Sequence, residues 1–489
     1  MIRELRIKNL KAFRGEHQVR LAPLTLIFGA NSAGKSSLIQ SLLLLKQTIE
    51  SSDPEQPELV VRGALADLGS IPGIIHNHDL EKTLTLGLTI DSPLRRPNSI
   101  LGVKPRRYTF SFRWDASTHT VRQTGANLGL DDSDLLSYTR RRGPDVAKTP
   151  EAIGRREFPF RIGQAKARAT FVNWISSLIG RRPGTFLPRG RRPPQETIAA
   201  TTSTLLEIGS FAAAPWGIMP LYPRLSLTKS SKAEPSPNRE VMQAFEFYWR
   251  QAHNQFRVDL ATALESLVYL GPLRLPPARF HLLSGVRRTS VGREGEFLAE
   301  ILTRRREVLA DVNAWLKRLQ IPYALSATSI REEGMDTAMG DVAVLVLTDQ
   351  RNNLAVSPGD VGFGISQLLP IVVQTQIGRK NVICIEQPEI HVHPRLQSEI
   401  ADLLVASTEG RHSNQLIVET HSEHIMLRVQ RLIRSGAVAR DRVAVLYVDT
   451  DDDGSASVVR LRLAEDGSFI DEWPQGFFEE RFDEMFRSS

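Results

Sequence analysis

The sequence predicts an α/β fold: a parallel sheet, a flanking antiparallel sheet, and a basic insertion that is mostly helical or irregular. Three observations predict it. The apolar run Leu24-Thr25-Leu26-Ile27-Phe28 leads into a glycine-containing loop and then an apolar helix starting near Lys35. After about residue 322, apolar strands alternate with helices, the grammar of a parallel sheet. Between these halves, from about 131 to 240, the chain turns basic and rich in Gly, Pro and Ser, with few long periodic segments.

Taken in order, Ile2, Leu5, Ile7 and Leu10 mark a first strand, and Phe13-Arg14-Gly15 turns the chain. Leu24–Phe28 is a short, largely apolar run ending in a glycine, as expected of a buried strand. Ser37–Lys46 is an apolar helix. Residues 81–90 and 107–114 alternate and read as strands of the flanking sheet. Within the insertion, Val172–Leu178 reads as helix and Thr228–Arg239 as a surface loop. Glu240–Val268 and Glu296–Leu319 have helical periodicity without sustained heptads, so no long coiled coil is expected. Asp341–Thr348 is strand, Ser366–Ile377 helix, Asn381–Ile385 a buried strand, Arg395–Ser407 helix, Gln415–Val418 strand and Ser422–Ser435 helix. Arg442–Val448 and Ser457–Leu463 are further strands. The expected division is 1–130 and 336–440 as the two halves of one head, 131–265 as the insertion, 266–335 as a helical connection and 441–489 as a C-terminal extension.

Composition narrows the class. With 489 residues, 41% hydrophobic and 24% charged, the chain reads as an ordinary globular protein larger than one small core. A single cysteine, Cys384, excludes internal disulfides and cysteine-based zinc sites, and suits a reducing cytoplasm. No apolar run reaches the roughly 18–20 residues of a membrane helix, and the charged, alternating start reads as a strand instead of a signal peptide. The net charge of +7 is local in origin. Arg140–Arg192 holds fourteen Lys/Arg against three Asp/Glu, which leaves the remainder of the chain acidic. Such a stretch suits a solvated basic face, DNA or RNA phosphates, or an acidic protein.

Gly29-Ala30-Asn31-Ser32-Ala33-Gly34-Lys35-Ser36 fits G-x-x-x-x-G-K-[ST] with a strand before it and a helix after it. Glycines let the backbone wrap closely round phosphates, and the loop amides with the helix N-terminus, Ser37 included, offer partial positive charge. ATP with Mg²⁺ is the expected ligand: Lys35 should reach the terminal phosphates and Ser36 the metal. Val382-Ile383-Cys384-Ile385 delivers Glu386-Gln387-Pro388-Glu389. A parallel strand beside the phosphate-loop strand would bring Glu386 to the Mg²⁺. Gln387 stands where a carboxylate general base would be expected. An amide cannot take a proton, so slow hydrolysis is expected, with Gln387 or Glu389 positioning water.

Gly364, Ser366 and Gln367 precede an apolar helix and could meet a phosphate there. Thr420-His421-Ser422 follows the next strand, where His421 could touch the γ-phosphate.

Gly29–Ser36, Tyr269–Arg274, Val361–Pro370, Ile385–Pro394, Glu419–Ser422 and Trp473–Phe478 together resemble the AAA-family ATPases of ABC/SMC type, related to the OLD, RecF and SMC heads. In particular the chain looks like the subgroup ending in a C-terminal domain of unknown function. It implies an ABC/SMC-type P-loop head and a homodimer, or higher oligomer, that sandwiches ATP between one copy's phosphate loop and the other's Gly364–Gln367 segment. It also implies work in DNA repair or antiphage defence with a separate or fused effector protein.

Other features carry less. Asp449–Gly454 reads as an acidic turn, because too little chain follows it to build the nuclease domain of OLD proteins. His391 and His393 read as structural or dimer-facing. A scaffold that binds ATP and barely hydrolyses it is the alternative that Gln387 favours. A transporter ATPase and a self-contained nuclease are less consistent with the motifs.

Overall fold

The computed structural model describes residues 1–51, 58–91, 99–140, 158–162, 165–181, 194–216, 219–227, 239–276, 278–330 and 341–474. The chain forms two compact units, one of Met1, Arg20–Ile39 and Ser266–Ser489, the other of Ile2–Val19 and Gln40–Glu265.

The first unit is built on a six-stranded sheet. Its order is Leu267–Leu270, Val382–Glu386, Gln415–Glu419, Leu24–Gly29, Val443–Thr450 and Ala456–Leu461. The first five run parallel and the last pairs antiparallel with its neighbour. All residues of Leu24–Gly29, Val382–Glu386 and Gln415–Glu419 are buried, which explains their mostly apolar spelling. The helices Phe363–Ile377, Pro394–Thr408 and Glu423–Arg434 contribute Leu368, Leu369, Val372, Leu403, Leu404, Ile425 and Val429 to the core around these strands. Trp473 is edge-on to Phe28, Tyr447 and Phe469, with ring centroids 5.6, 6.0 and 4.9 Å apart, so the C-terminal segment packs on the phosphate-loop strand. A four-stranded antiparallel sheet built on Val342–Asp349 completes this unit, with Leu298–Arg304 and Arg306–Arg318 as short helices. The Glu296–Leu319 periodicity therefore covers two helices, broken at Arg305 (φ −120°, ψ 83°).

The second unit holds a nine-stranded antiparallel sheet. Its order is Met219–Leu227, Gly209–Trp216, Phe158–Ile162, Ser133–Arg140, Thr120–Leu130, Arg106–Asp115, Leu84–Ile90, Ile2–Leu10 and Phe13–Arg20. The flanking sheet is thus far larger than the sequence implied. The insertion was expected to be mostly helical or irregular, yet four of these strands lie between residues 131 and 227. Proline and glycine hid them: Pro215 and Pro220 lie opposite one another in the outermost pair, beside a register shift between Leu221 and Arg224. The helices Ala165–Arg181, Gln195–Ile208 and Arg239–Glu265 complete the unit. Val172–Leu178 lies within the first of them. The Thr228–Arg239 loop falls outside the described residues up to 238. Much of the Arg140–Arg192 stretch does too, including Arg141, Arg142, Lys148, Arg155, Arg156, Arg182, Arg189, Arg191 and Arg192.

No helix among the described residues is long and apolar enough to cross a membrane.

Candidate nucleotide-binding site

The phosphate loop leaves the central strand at Gly29, where no larger residue would fit. Its φ is +141°, and a Cβ there would lie 2.0 Å from the Val448 carbonyl oxygen. Ala30, Asn31 and Ser32 are exposed at the rim of the loop, and Ala33 is buried. Ser32 (φ 63°) and Gly34 (φ 104°) take left-handed backbone to turn the chain into the helix Lys35–Glu50. The Ser37 amide closes the first turn on the Gly34 carbonyl at 3.0 Å. Leu38, Ile39 and Leu42–Leu45 are buried and fix the helix in place.

Lys35 is 4% exposed, and its ammonium donates to the carbonyls of Gly29 (2.9 Å) and Ala30 (2.6 Å). Burial pulls its pKa below the ordinary lysine value, opposed by the nearby carboxylates of Glu419 and Glu389. An ammonium folded onto loop carbonyls can exchange them for phosphate oxygens with little rearrangement.

One sequence expectation requires correction. The acidic strand does not lie beside the phosphate-loop strand, because Gln415–Glu419 runs between them. In register, Glu386 faces Glu419, which in turn faces Ile27. The carboxylate closest to the phosphate-loop helix is therefore Glu419, whose role the sequence did not reveal. The Ser36 hydroxyl donates to it. Its Oε2 is shielded from solvent and has no hydrogen-bond partner.

Glu386 ends the acidic strand, 7% exposed, and accepts from the Tyr269 hydroxyl at 3.0 Å. Burial, and then repulsion from Glu419, push its carboxyl up to about 7. Glu389 accepts from the Thr420 hydroxyl (2.8 Å) and the His421 amide (2.6 Å), and burial raises its pKa too. Its carboxylate is thus committed to the loop that carries His421. Gln387, between them, has a φ of 45°, strained for a residue with a Cβ, and its amide donates to the Glu419 carbonyl at 2.8 Å. His421 is half-buried, and burial, then the charge of Lys35, lower its pKa, so it is neutral at pH 7.

Arg274 is the second residue without a role in the sequence reading, although it belongs to the Tyr269–Arg274 resemblance segment. It is 3% exposed, and its guanidinium donates to the carbonyls of Glu386 (2.8 Å) and Gln387 (3.3 Å). Burial brings its pKa down to about 10, which leaves it charged. Its backbone is clamped to Gln367: the Arg274 amide donates to Gln367 Oε1 (3.1 Å), and Gln367 Nε2 donates to the Arg274 carbonyl (3.0 Å).

That clamp corrects the expectation for Gln367, which is fully buried with both ends of its amide engaged, and so is a strut in this conformation. Ser366 is 5% exposed and lies inside the first turn, because the helix begins at Phe363 after Gly362. Gly364 serves close packing: a Cβ there would lie 2.5 Å from the His391 carbonyl oxygen. His391 has a φ of 60°, and His393 caps the helix Pro394–Thr408 by accepting from the Arg395 amide at 3.2 Å. Asp449 to Gly454 spans the end of a strand and a hairpin turn, in which the Asp451 amide meets the Ser455 carbonyl at 2.8 Å.

Burial raises the pKa values of Glu386, Glu389 and Glu419, and one Glu419 oxygen has no partner, so a cation would stabilise their charged forms. Among the described residues no three His, Cys, Asp or Glu side chains could hold a metal by themselves. These residues fit a Mg²⁺ ion that takes its remaining ligands from phosphate and water.

Residues 24–169 and 223–427 match the family described as an AAA domain, putative AbiEii toxin, Type IV TA system. The chain belongs to this AAA-domain family. The match spans the phosphate loop, the acidic strand and the His421 loop of the AAA domain. Residues 438–487 match a second family, described as a protein of unknown function (DUF3696). No curated protein matches the chain. Among solved structures, the AAA-domain chain is similar to an SMC head bound to the C-terminal winged-helix domain of ScpA, at 12% identity and a TM-score of 0.40, covering 94% of this chain and 98% of that one. A Pyrococcus furiosus Smc head bound to the C-terminal domain of ScpA gives 12% and 0.41, covering 94% and 96%. The Thermotoga maritima SMC head gives 11% and 0.38, covering 94% and 99%. Scores at this level mark a broad likeness.

Proposed function

We propose that this P-loop protein of the AAA family binds Mg²⁺·ATP at Gly29–Ser37, hydrolyses it slowly, and uses nucleotide-dependent pairing of two copies to control a nucleic-acid-linked defence or repair response through a separate effector protein. The observation that carries the reading is the convergence of Lys35 and Ser36 with Glu419 on the adjacent strand and Glu386 on the next. Lys35 and the loop amides hold the phosphates. Ser36, with Glu419 and Glu386 behind it, would hold the cation, which when bound would supply neutralisation of phosphate charge and polarisation of the terminal phosphate.

This chain's own groups do the rest. Neutral His421 offers a hydrogen bond to a phosphate oxygen. Gln387 orients a water without accepting its proton. Arg274 keeps the end of the acidic strand in place. Glu389, held by Thr420 and His421, ties the His421 loop to the acidic strand. The description of the family as a type IV toxin–antitoxin component suits a defence role, as does the resemblance of the motifs to the OLD and RecF group. Magnesium dependence, the homodimer or higher oligomer, a DNA or RNA contact through Arg140–Arg192, and a cytoplasmic setting belong to the same proposal.

A second reading has an observation of its own. Gln387 is an amide and the Glu389 carboxylate is committed to the His421 loop, so neither offers a free carboxylate base at the end of the acidic strand; a nucleotide-dependent scaffold needs none. Phosphate release measured with and without DNA, alongside particle mass with and without Mg²⁺·ATP, separates them. Turnover with ATP-dependent mass doubling supports the first reading, and mass doubling without turnover the second. No change in mass with bound ATP would overturn both.

A further inference from the structure

The first unit contains a second polar concavity, wholly apart from the phosphate loop. A cavity of about 610 Å³ is lined by Arg287, Arg288, Arg304, Arg305, Arg379 and Arg411, against only Glu300, Glu307 and Asp311. Topology fixes its place. Arg379 directly precedes the strand Val382–Glu386, and Arg411 lies just before Gln415–Glu419. The cavity therefore sits at the entry edge of the parallel sheet, and Glu386, Glu419 and the phosphate loop at the exit edge. A five-residue strand separates those edges by about 16 Å.

Two of the three acids are already neutralised. Asp311 pairs with Arg411 at 2.6 Å. Glu300, 5% exposed, accepts from the Ser284 hydroxyl at 3.0 Å and lies 3.5 Å from Arg288 and 3.8 Å from Arg304. Arg288 is further fixed over the Phe297 ring, 3.9 Å from its centroid, and its Nε, shielded from solvent, has no hydrogen-bond acceptor. Arg287, Arg305 and Arg379 form no ion pair with any described residue. Three unneutralised guanidiniums around a concave site repel one another, a cost that an anion would relieve. The carbonyl end of the helix Phe363–Ile377 also reaches the cavity through Gln376 and Ile377, and Arg379 beside it offsets that negative end.

We propose that this cavity binds a phosphate-bearing anion carrying at least two charges, and that the helix Phe363–Ile377 links it to the nucleotide site. Planar guanidiniums in several orientations match phosphate oxygens. The helix is the connection: Gln376 and Ile377 line the cavity, and Gln367, about 14 Å up the same helix, clamps Arg274 against the acidic strand. The anion is either a stretch of nucleic-acid backbone or a free oligophosphate.

The test uses the full chain with its phosphate loop saturated by Mg²⁺·ADP, whose binding is titrated first. A labelled short single-stranded DNA and inorganic tripolyphosphate are the probes. The variants are R305Q/R379Q, R287Q/R379Q and, as a control away from the cavity, R434Q. The proposal expects at least one probe to bind the native chain, to weaken roughly tenfold in both cavity variants with a shallower salt dependence, and to bind R434Q normally. DNA alone responding identifies a nucleic-acid backbone, and tripolyphosphate alone a free oligophosphate. If neither probe binds, or if both double variants bind like the native chain, the proposal is overturned. ADP binding that survives in every variant keeps this result independent of the nucleotide-site reading.

Discussion

Ser36 and Glu419 are hydrogen-bonded: the hydroxyl that opens the phosphate-loop helix donates to the carboxylate that closes the adjacent strand. The other oxygen of that carboxylate is buried without a partner. A buried, half-satisfied carboxylate is costly unless a cation reaches it. Glu419→Gln should therefore weaken Mg²⁺·ATP binding about tenfold, roughly 1.4 kcal/mol, and leave Mg²⁺-free ATP binding nearly unchanged. Calorimetric titration with and without Mg²⁺ measures both, and equal losses in the two conditions would remove Glu419 from the cation site.

Glu386 gives a pH prediction with a definite sign. Its folded pKa of about 7 lies above the ordinary 4.5, so the nucleotide-free fold binds that proton more tightly than the unfolded chain does. Stability from this group is full below about pH 4.5, falls as pH rises, and is lost above about 7. Glu386→Gln should raise the stability of the nucleotide-free protein at pH 8 by roughly 2–3 kcal/mol and at pH 5 by less than about 1 kcal/mol. Thermal melts at the two pH values decide it; an equal gain at both would mean the carboxyl ionises normally.

Arg274 holds the carbonyls of Glu386 and Gln387 with one guanidinium. A lysine keeps the charge and loses the fork. Arg274→Lys should lower turnover about tenfold or more with ATP affinity within a factor of about two, the signature of a positioning residue. Parallel loss of affinity and turnover would instead indicate a general collapse of the site.

Gln387 supplies the test of slow hydrolysis. Gln387→Glu places a proton acceptor at the end of the acidic strand and should raise phosphate release by roughly ten- to a hundredfold. Unchanged release would show that position 387 does not limit turnover.

These residues also show what a sequence can disclose. The phosphate loop was legible because its strand, glycines and helix are contiguous, and Gly29 and Gly34 declare their backbone demands locally. The strand carrying Glu386 was legible as a buried apolar run. Its neighbour in the sheet was not, since strand order is a long-range property, and Glu419 gained its role only when its strand took the place between the two motifs. Arg274 and Tyr269 reach Glu386 across 112 and 117 residues of chain, a contact no local pattern announces. The outer strands of the antiparallel sheet were obscured for a different reason: Pro215 and Pro220 break the alternation that reveals a strand.

The most direct measurement is ATP binding by the native chain and by Lys35→Ala. The Lys35 ammonium is buried among loop carbonyls, with the Glu419 and Glu389 carboxylates nearby. Isothermal titration with Mg²⁺·ATP should give saturable binding to the native chain and a loss of roughly a hundredfold, about 2.7 kcal/mol, in the variant. A native chain that binds no ATP, or a Lys35→Ala variant that binds it equally well, would contradict the account.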